Sequence, residues 1–217
     1  MLAPPPRSDS ALPRGECTRR RSSANPNPGS KTPDPTRVYT RLGDDGTTGM
    51  LFGGRLSKAD PAVDCYGTVD EAGAALGFAR AAGAAPELAQ IILGLQRDLF
   101  VVAADLACNP RQRQRLRPRV SLVVPEMVGE LERIVDGVVA EHPLRPVFVV
   151  SGANPISAAL DLARTVVRRA ERQAVELQQT RGTVNPLVVT YLNRVSDLVY
   201  VLARWAAAGS DEPASHF

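Results

Sequence analysis

The chain has 217 residues, 44% of them apolar, with 26 basic against 23 acidic side chains and a net charge of +3. That apolar share supports a packed core and excludes wholesale disorder, and the length is that of one domain with an appendage. No apolar run approaches the roughly 20 residues needed to cross a bilayer, so a membrane-spanning helix is excluded as well.

The basic surplus is local. Residues 1–37 hold 8 of the 18 prolines and seven basic against three acidic residues, which leaves the remainder of the chain at a net charge of −1. A Pro/Ser/Arg-rich stretch with few large apolar side chains cannot form a core, so 1–37 is expected to be a disordered extension. The near-neutral remainder, 38–208, is the expected folded domain, and it counts against a nucleic-acid partner. The opening MLAPPPRSDS lacks the apolar stretch of a secretory signal, and the prolines oppose the amphipathic helix of a mitochondrial transit peptide. Cys17, Cys65 and Cys108 are odd in number, widely spaced and without a CxxC pair. That is the pattern of a reduced, cytoplasmic protein with neither a disulfide framework nor a thiolate zinc site.

Along the chain, residues 38–60 are too glycine-rich for a helix. From there helical signals dominate. Pro61 opens a first helix to about Ala82, and Pro86 a second, in which Leu88, Ile91, Ile92, Leu95, Leu99 and Val102 follow helical spacing. Residues 109–119, NPRQRQRLRPR, read as a solvated loop. A third helix runs from Pro125 to about Glu141, a fourth from about Pro155 to Gln179, and a fifth from about Asn185 to Ala208. Residues 209–217 are expected to be a flexible tail. Five helices with short connections predict an all-α five-helix bundle.

Three segments carry candidate chemistry. In the first, Gly43, Gly46, Gly49, Gly53 and Gly54 permit the close backbone approach of an anion-holding nest, and Thr40, Thr47, Thr48, Arg41, Arg55 and Lys58 supply hydroxyls and charge. Lys58 is the only lysine after residue 37. The segment is neither a Walker A loop nor a Rossmann fingerprint, and residue types alone leave a surface loop and a phosphate site both open. On the fourth helix, Arg164, Arg168 and Arg172 recur four apart on the flank that also carries Glu171, while Arg169 points elsewhere. Stacked cations repel unless something anionic offsets them. A bound polyphosphate would do so, as would acidic residues of neighbouring helices. On the fifth helix, Asn193, Asp197 and Arg204 share a narrow polar face, with Asp197 expected to pair with Arg194 or with an arginine of the fourth helix. A structural network explains that face as readily as a site. His142 and His216 lack a second ligand nearby, so no histidine metal site is assigned.

Taken together, the blocks TRLGDDGTTGMLFGGRLSK, GTVDEAGAALGFAR, FVVSGANPISAALDLARTVVRRAER and YLNRVSDLVYVLARW resemble the PduO-type ATP:cob(I)alamin adenosyltransferases, in the family's order and over nearly all of 38–208. The resemblance implies a homotrimer with sites between subunits. Thr40, Arg41, Leu42, Gly43, Thr48 and Lys58 would wrap ATP, and Arg168, Glu171, Arg172 and Asn193 would hold its phosphates and Mg2+, with Glu171 nearest the metal. Arg168, Lys58 and Asn193 would be the catalytic residues. Asp70 and Arg164 match an intersubunit salt bridge, and Phe148 an aromatic beneath the corrin of cobalamin. A cobalamin reductase and an adenosylcobalamin-dependent mutase are the implied partners. Two departures stand out: Asp45 replaces a lysine common after the GD of the loop, and Val150-Ser151-Gly152-Ala153 replaces LPGG after the aromatic.

Overall fold

A computed structural model describes residues 39–216. The chain divides into two units, 1–40 and 41–217, and the first is described only at Tyr39 and Thr40, both exposed. The expected extension and Cys17 lie outside the described residues.

The five predicted helices are present as α1 (Pro61–Ala81), α2 (Pro86–Leu106), α3 (Pro125–Glu141), α4 (Pro155–Arg181) and α5 (Pro186–Ala207). Each begins on a proline in its first turn, where the missing N–H costs nothing and the fixed φ already suits a helix. Caps sharpen several ends. Asn154 and Ser157 form a reciprocal capping box at the start of α4, and Gly182 closes it at φ 62°, a left-handed turn that favours glycine.

The long α4 packs against α1 on one side and α5 on the other; α2 adds to α1, and α3 to α5. Its stripe of Leu160, Ala163, Val167, Ala170 and Ala174 is fully buried, and the alanines bring the neighbouring helices close. Helix α5 is the most enclosed element, with Val188, Tyr191, Leu192, Val195, Leu198, Val199 and Leu202 at zero exposure. The Tyr191 hydroxyl reaches out of this core to Asp98 Oδ2 at 2.7 Å, and burial, with the Asp98 charge beside it, raises the phenol's pKa.

Three short pieces depart from the expected outline. Residues 47–57 fold as an antiparallel hairpin, β1 (Thr47–Gly49) and β2 (Arg55–Ser57), with Thr48 opposite Leu56. The expected loop at 109–119 holds a 3-10 helix, Pro110–Arg115, capped where the Asn109 side chain accepts from the Arg111 N–H at 3.0 Å. Its arginines are not all solvated: Arg113 reaches Asp105 Oδ1 at 2.6 Å, and Arg119 makes a paired contact with Glu130. Buried Asp105 also accepts from the Val123 N–H and from Asn185, so one carboxylate ties α2 to the starts of α3 and α5. Last, the expected flexible tail is held. Val149 and Ala214 form an antiparallel bridge, Val150 N donates to Pro213 O at 2.9 Å, and Ser215 N donates to Phe148 O at 2.7 Å. Backbone pairing across 65 residues of sequence leaves no local signal, which is why composition alone reads this segment as loose.

Candidate active site

The glycine-rich segment is shaped by its own side chains. Gly46 (φ 79°) turns the chain so that its carbonyl receives the Lys58 N–H at 2.9 Å. A β-carbon on Gly43 would lie 3.1 Å from Lys58 Nζ and 3.1 Å from the Thr47 carbonyl, so glycine there lets the ammonium rest on the turn. Lys58 is exposed and forms no ion pair among the described residues.

Arg55, by contrast, is committed: Nε donates to Thr47 Oγ1 at 2.7 Å, Nη2 to the Leu42 carbonyl, and Asp45 lies 3.5 Å away. Asp45 accepts from both the N–H and the hydroxyl of Thr47, and these bonds, with Arg55 beside them, hold its carboxyl below the usual range. The residue that departs from the family pattern thus serves the turn. Thr48 is half-buried and faces the Tyr66 phenol. Arg41 takes a positive φ of 61°, uncommon for arginine, and Leu42 is exposed.

Besides the Thr48–Tyr66 contact, the hairpin is fixed to the bundle at two places. Leu51 exchanges backbone hydrogen bonds with Ala107 and Asn109 at the end of α2. Two residues after Lys58, the α1 cap Asp60 forms a paired contact with Arg181 at the C-terminal end of α4. Thirteen helical residues separate Arg181 from Arg168, about 20 Å along the axis.

On α4, Arg168 and Arg172 are exposed and make no ion pair among the described residues, so neighbouring acidic side chains do not offset this flank. Arg169 leaves the flank as expected and pairs with Glu71 on α1. Glu171 Oε1 accepts from Asn193 Nδ2 at 3.0 Å, and Asn193 Oδ1 accepts from Arg194 Nη1 at 2.7 Å. Arg194 is itself held by Glu132 of α3 at 2.8 Å. This chain from α3 through α5 to α4 fixes which way the Asn193 amide faces. Arg194 is therefore not Asp197's partner; Asp197 is exposed and forms no ion pair among the described residues.

Asp70 and Arg164 are not paired with each other within the chain. Asp70 is exposed beside an apolar groove between α1 and α2, next to Phe100, which is 73% exposed. The Arg164 guanidinium lies 5.7 Å from the Tyr200 ring centroid, and its buried Nε has no acceptor. Beside it, Arg204 contacts Asp161 and lies 2.5 Å from Glu212, with both arginines near Tyr200. The polar face read on α5 pointed to Arg204; Asp161 stands three residues before Arg164, and Glu212 gave no signal. Phe148 is 80% exposed on the connection between α3 and α4.

The family model for cobalamin adenosyltransferases matches residues 38–206, which include the hairpin and all but the last residue of the bundle. The chain belongs to that family. A corrinoid adenosyltransferase from Mycobacterium tuberculosis is 39% identical over 178 residues, 81% of this chain and 91% of its own. The Citrobacter freundii corrinoid adenosyltransferase PduO is 38% identical over 167 residues, and this chain spans about half of it, 49%. A variant PduO-type ATP:corrinoid adenosyltransferase from Lactobacillus reuteri, complexed with cobalamin and ATP, superposes with a TM-score of 0.75 at 29% identity, over 83% of this chain and 100% of that one. The present chain is an enzyme of this PduO type. Among its described residues no helix is long and apolar enough to cross a membrane, and no cluster of three metal-ligating side chains occurs.

Proposed function

We propose that the chain transfers the 5′-deoxyadenosyl group of ATP to the cobalt of cob(I)alamin, giving adenosylcobalamin and triphosphate. The observation that carries this is the face formed by exposed Arg168 and Arg172, which make no ion pair among the described residues, beside the hydrogen-bonded Asn193–Glu171 pair. Two uncompensated guanidiniums on a rigid helix form a receptor for a polyanion, and guanidinium geometry suits phosphate oxygens.

In the reaction, the electron pair of Co(I) attacks C5′ of ATP and becomes the new Co–C5′ bond, the C5′–O bond breaks, and triphosphate departs with the electrons of that C–O bond while cobalt becomes formally Co(III). The nucleophile comes with the substrate, so the protein's part is to orient two reactants and stabilise the charge gathering on the leaving group. Arg168 and Arg172 take the phosphate oxygens, with Lys58 a third cation. Asn193, its carbonyl already used by Arg194, offers its remaining N–H. Mg2+ fits here as an ion carried largely by the triphosphate: one carboxylate, Glu171, stands at the face, and Mg2+ with nucleotides commonly takes only one or two carboxylates. When bound it would neutralise part of the phosphate charge.

The site is built between subunits of a homotrimer. The segment with Thr40, Arg41, Leu42, Gly43, Thr48 and Lys58 of one subunit closes over ATP held on α4 and α5 of the next. Supporting this, the hairpin is anchored at the C-terminal end of its own α4, about 20 Å along the axis from Arg168. Among the described residues Arg164 Nε has no acceptor and Asp70, beside an apolar groove, has no ion pair, which is what an intersubunit salt bridge leaves in a single chain. Phe148, an aromatic held out in solvent, supplies an apolar floor for the corrin that keeps a lower ligand from cobalt and so eases reduction to Co(I).

The test is direct. ATP, Mg2+ and chemically reduced cobalamin, incubated with the full chain, are expected to give adenosylcobalamin and triphosphate in equal amounts. No product at millimolar ATP overturns the proposal.

A further inference from the structure

The connection that carries Phe148 has no helix or sheet of its own to hold it. Val147 and Val149 line a cleft walled by His142, stacked on Trp205 with ring centroids 4.6 Å apart, and by Tyr200 and Arg204. Phe148, between the two valines, is 80% exposed. Around the bridge at Val149 the chain alternates as a strand does, with Phe148 and Val150 exposed on either side of half-buried Val149, so pairing register decides whether residue 148 faces the cleft or the outside. A slip of one residue would turn Phe148 inward and Val149 outward.

The register is set by the C-terminal segment. Phe148 O, Val149 and Val150 N meet Ser215 N, Ala214 and Pro213 O, as the only backbone pairing that fastens this connection among the described residues. That segment is itself anchored. Arg145 Nη1 donates to the Glu212 carbonyl at 2.7 Å, and the Glu212 carboxylate lies 2.5 Å from Arg204 Nη1. The side chains of Arg204, Asp161 and Glu212 are each less than 10% exposed, and Arg204 joins the other two across α4 and α5. One guanidinium between two nearly buried carboxylates is costly to leave half-made, so it specifies position more than it adds stability.

From this we infer that residues Glu212–Ser215 are a strap that holds Phe148 outward in register, and that Arg204 and Glu212 are positioning residues for the cobalt side of the reaction. The inference rests on the reading that Phe148 floors the corrin. The step it governs is the arrival at Co(I): cob(II)alamin takes one electron from an external reductant, and that transfer is easier once the lower ligand is gone. Adenosyl transfer from cobalamin already reduced does not need the strap.

Two variants of the full-length enzyme test it: a chain ending at Asp211, and Glu212→Gln. Both are expected to keep wild-type ATP binding and the wild-type rate with chemically pre-reduced cob(I)alamin. Starting from cob(II)alamin and a reductant, the shortened chain is expected to lose about tenfold, the size of effect that follows a misplacement of about an ångström. Glu212→Gln, which keeps the backbone pairing, loses less. The electron paramagnetic resonance signal of cob(II)alamin without a lower ligand should fall in parallel. A wild-type cob(II)alamin rate and an undiminished signal in the shortened chain overturn the strap; so does equal loss by both routes, which marks plain destabilisation. Phe148→Ala, run alongside, separates the two levels. If it behaves as wild type by both routes, the floor reading fails; if it is defective from cob(II)alamin while the shortened chain is normal, only the strap fails.

Discussion

The hairpin and the α4–α5 face both carry arginine, and they use it in opposite ways. Arg55 spends its guanidinium on Thr47, the Leu42 carbonyl and Asp45, so its charge is consumed in shaping a turn. Arg168 and Arg172 need no such work, because backbone hydrogen bonds and the buried alanine stripe already fix α4. Neither forms an ion pair among the described residues, which is what the proposed phosphate role requires. A rigid element can afford uncommitted cations, whereas a loop of two three-residue strands must use its side chains to exist. Residue type therefore says little about role until one asks what else holds the backbone.

That contrast can be broken by mutation. Arg168→Ala should lower kcat by about 10²–10³-fold, the usual cost of losing one preorganised charge partner, while stability moves by less than about 0.5 kcal/mol. Steady-state rates and thermal unfolding check both halves, and a wild-type rate would remove the phosphate role. Asp105→Ala should do the reverse. Its buried carboxylate serves Arg113, Val123 and Asn185, so unfolding should become easier by about 3 kcal/mol, measured by urea titration, with kcat of the folded fraction unchanged.

Smaller effects sharpen the boundary. Arg55→Ala, at an exposed site, should cost less than about 1 kcal/mol of stability yet raise KM for ATP about fivefold as the turn loosens, with kcat kept. Asp60→Asn probes the clamp between hairpin and α4. Burial pushes the Asp60 carboxyl up, but the Arg181 contact and the Ala62 N–H outweigh it, and its pKa is lowered. A carboxyl depressed in the folded state adds stability above its unfolded value of about 3.9, and that stability fades as pH falls through the folded value. The melting temperatures of wild type and variant should thus differ at pH 7, begin to converge only below about pH 4, and meet below the folded value.

Most of the bundle was legible because its signals are local. Prolines 61, 86, 125, 155 and 186 mark helix starts by chemistry confined to one residue, and the apolar spacing of α2 and α4 repeats over several turns. The 3-10 helix was not legible, since six residues with none buried give no periodicity. Nor was the hairpin, whose strands are too short to alternate visibly. In the site, the arginine ladder followed from spacing of four, and the Asn193–Glu171 bond joins two residues that the resemblance had named. What spacing could not reach was contact between distant segments: Arg204 with Glu212, Asp60 with Arg181, and the pairing of residues 148–150 with 213–215. Those depend on where chain ends come to rest.

The helix-opening prolines have a consequence for how the chain reaches its fold. With Pro110 of the 3-10 helix, six elements begin on an X–Pro bond, and none of the described bonds is cis. In an unfolded chain each such bond is cis about 10–30% of the time, so at about 20% each only roughly a quarter of molecules carry all six in the trans form. After prolonged denaturation, a minority should regain near-native fluorescence quickly, and the majority should follow over tens to hundreds of seconds. Brief unfolding, which leaves no time to isomerise, should abolish the slow majority, and a prolyl isomerase should shorten it. Residues that stiffen the native helix starts at little cost thus set a clock on the return from denaturant.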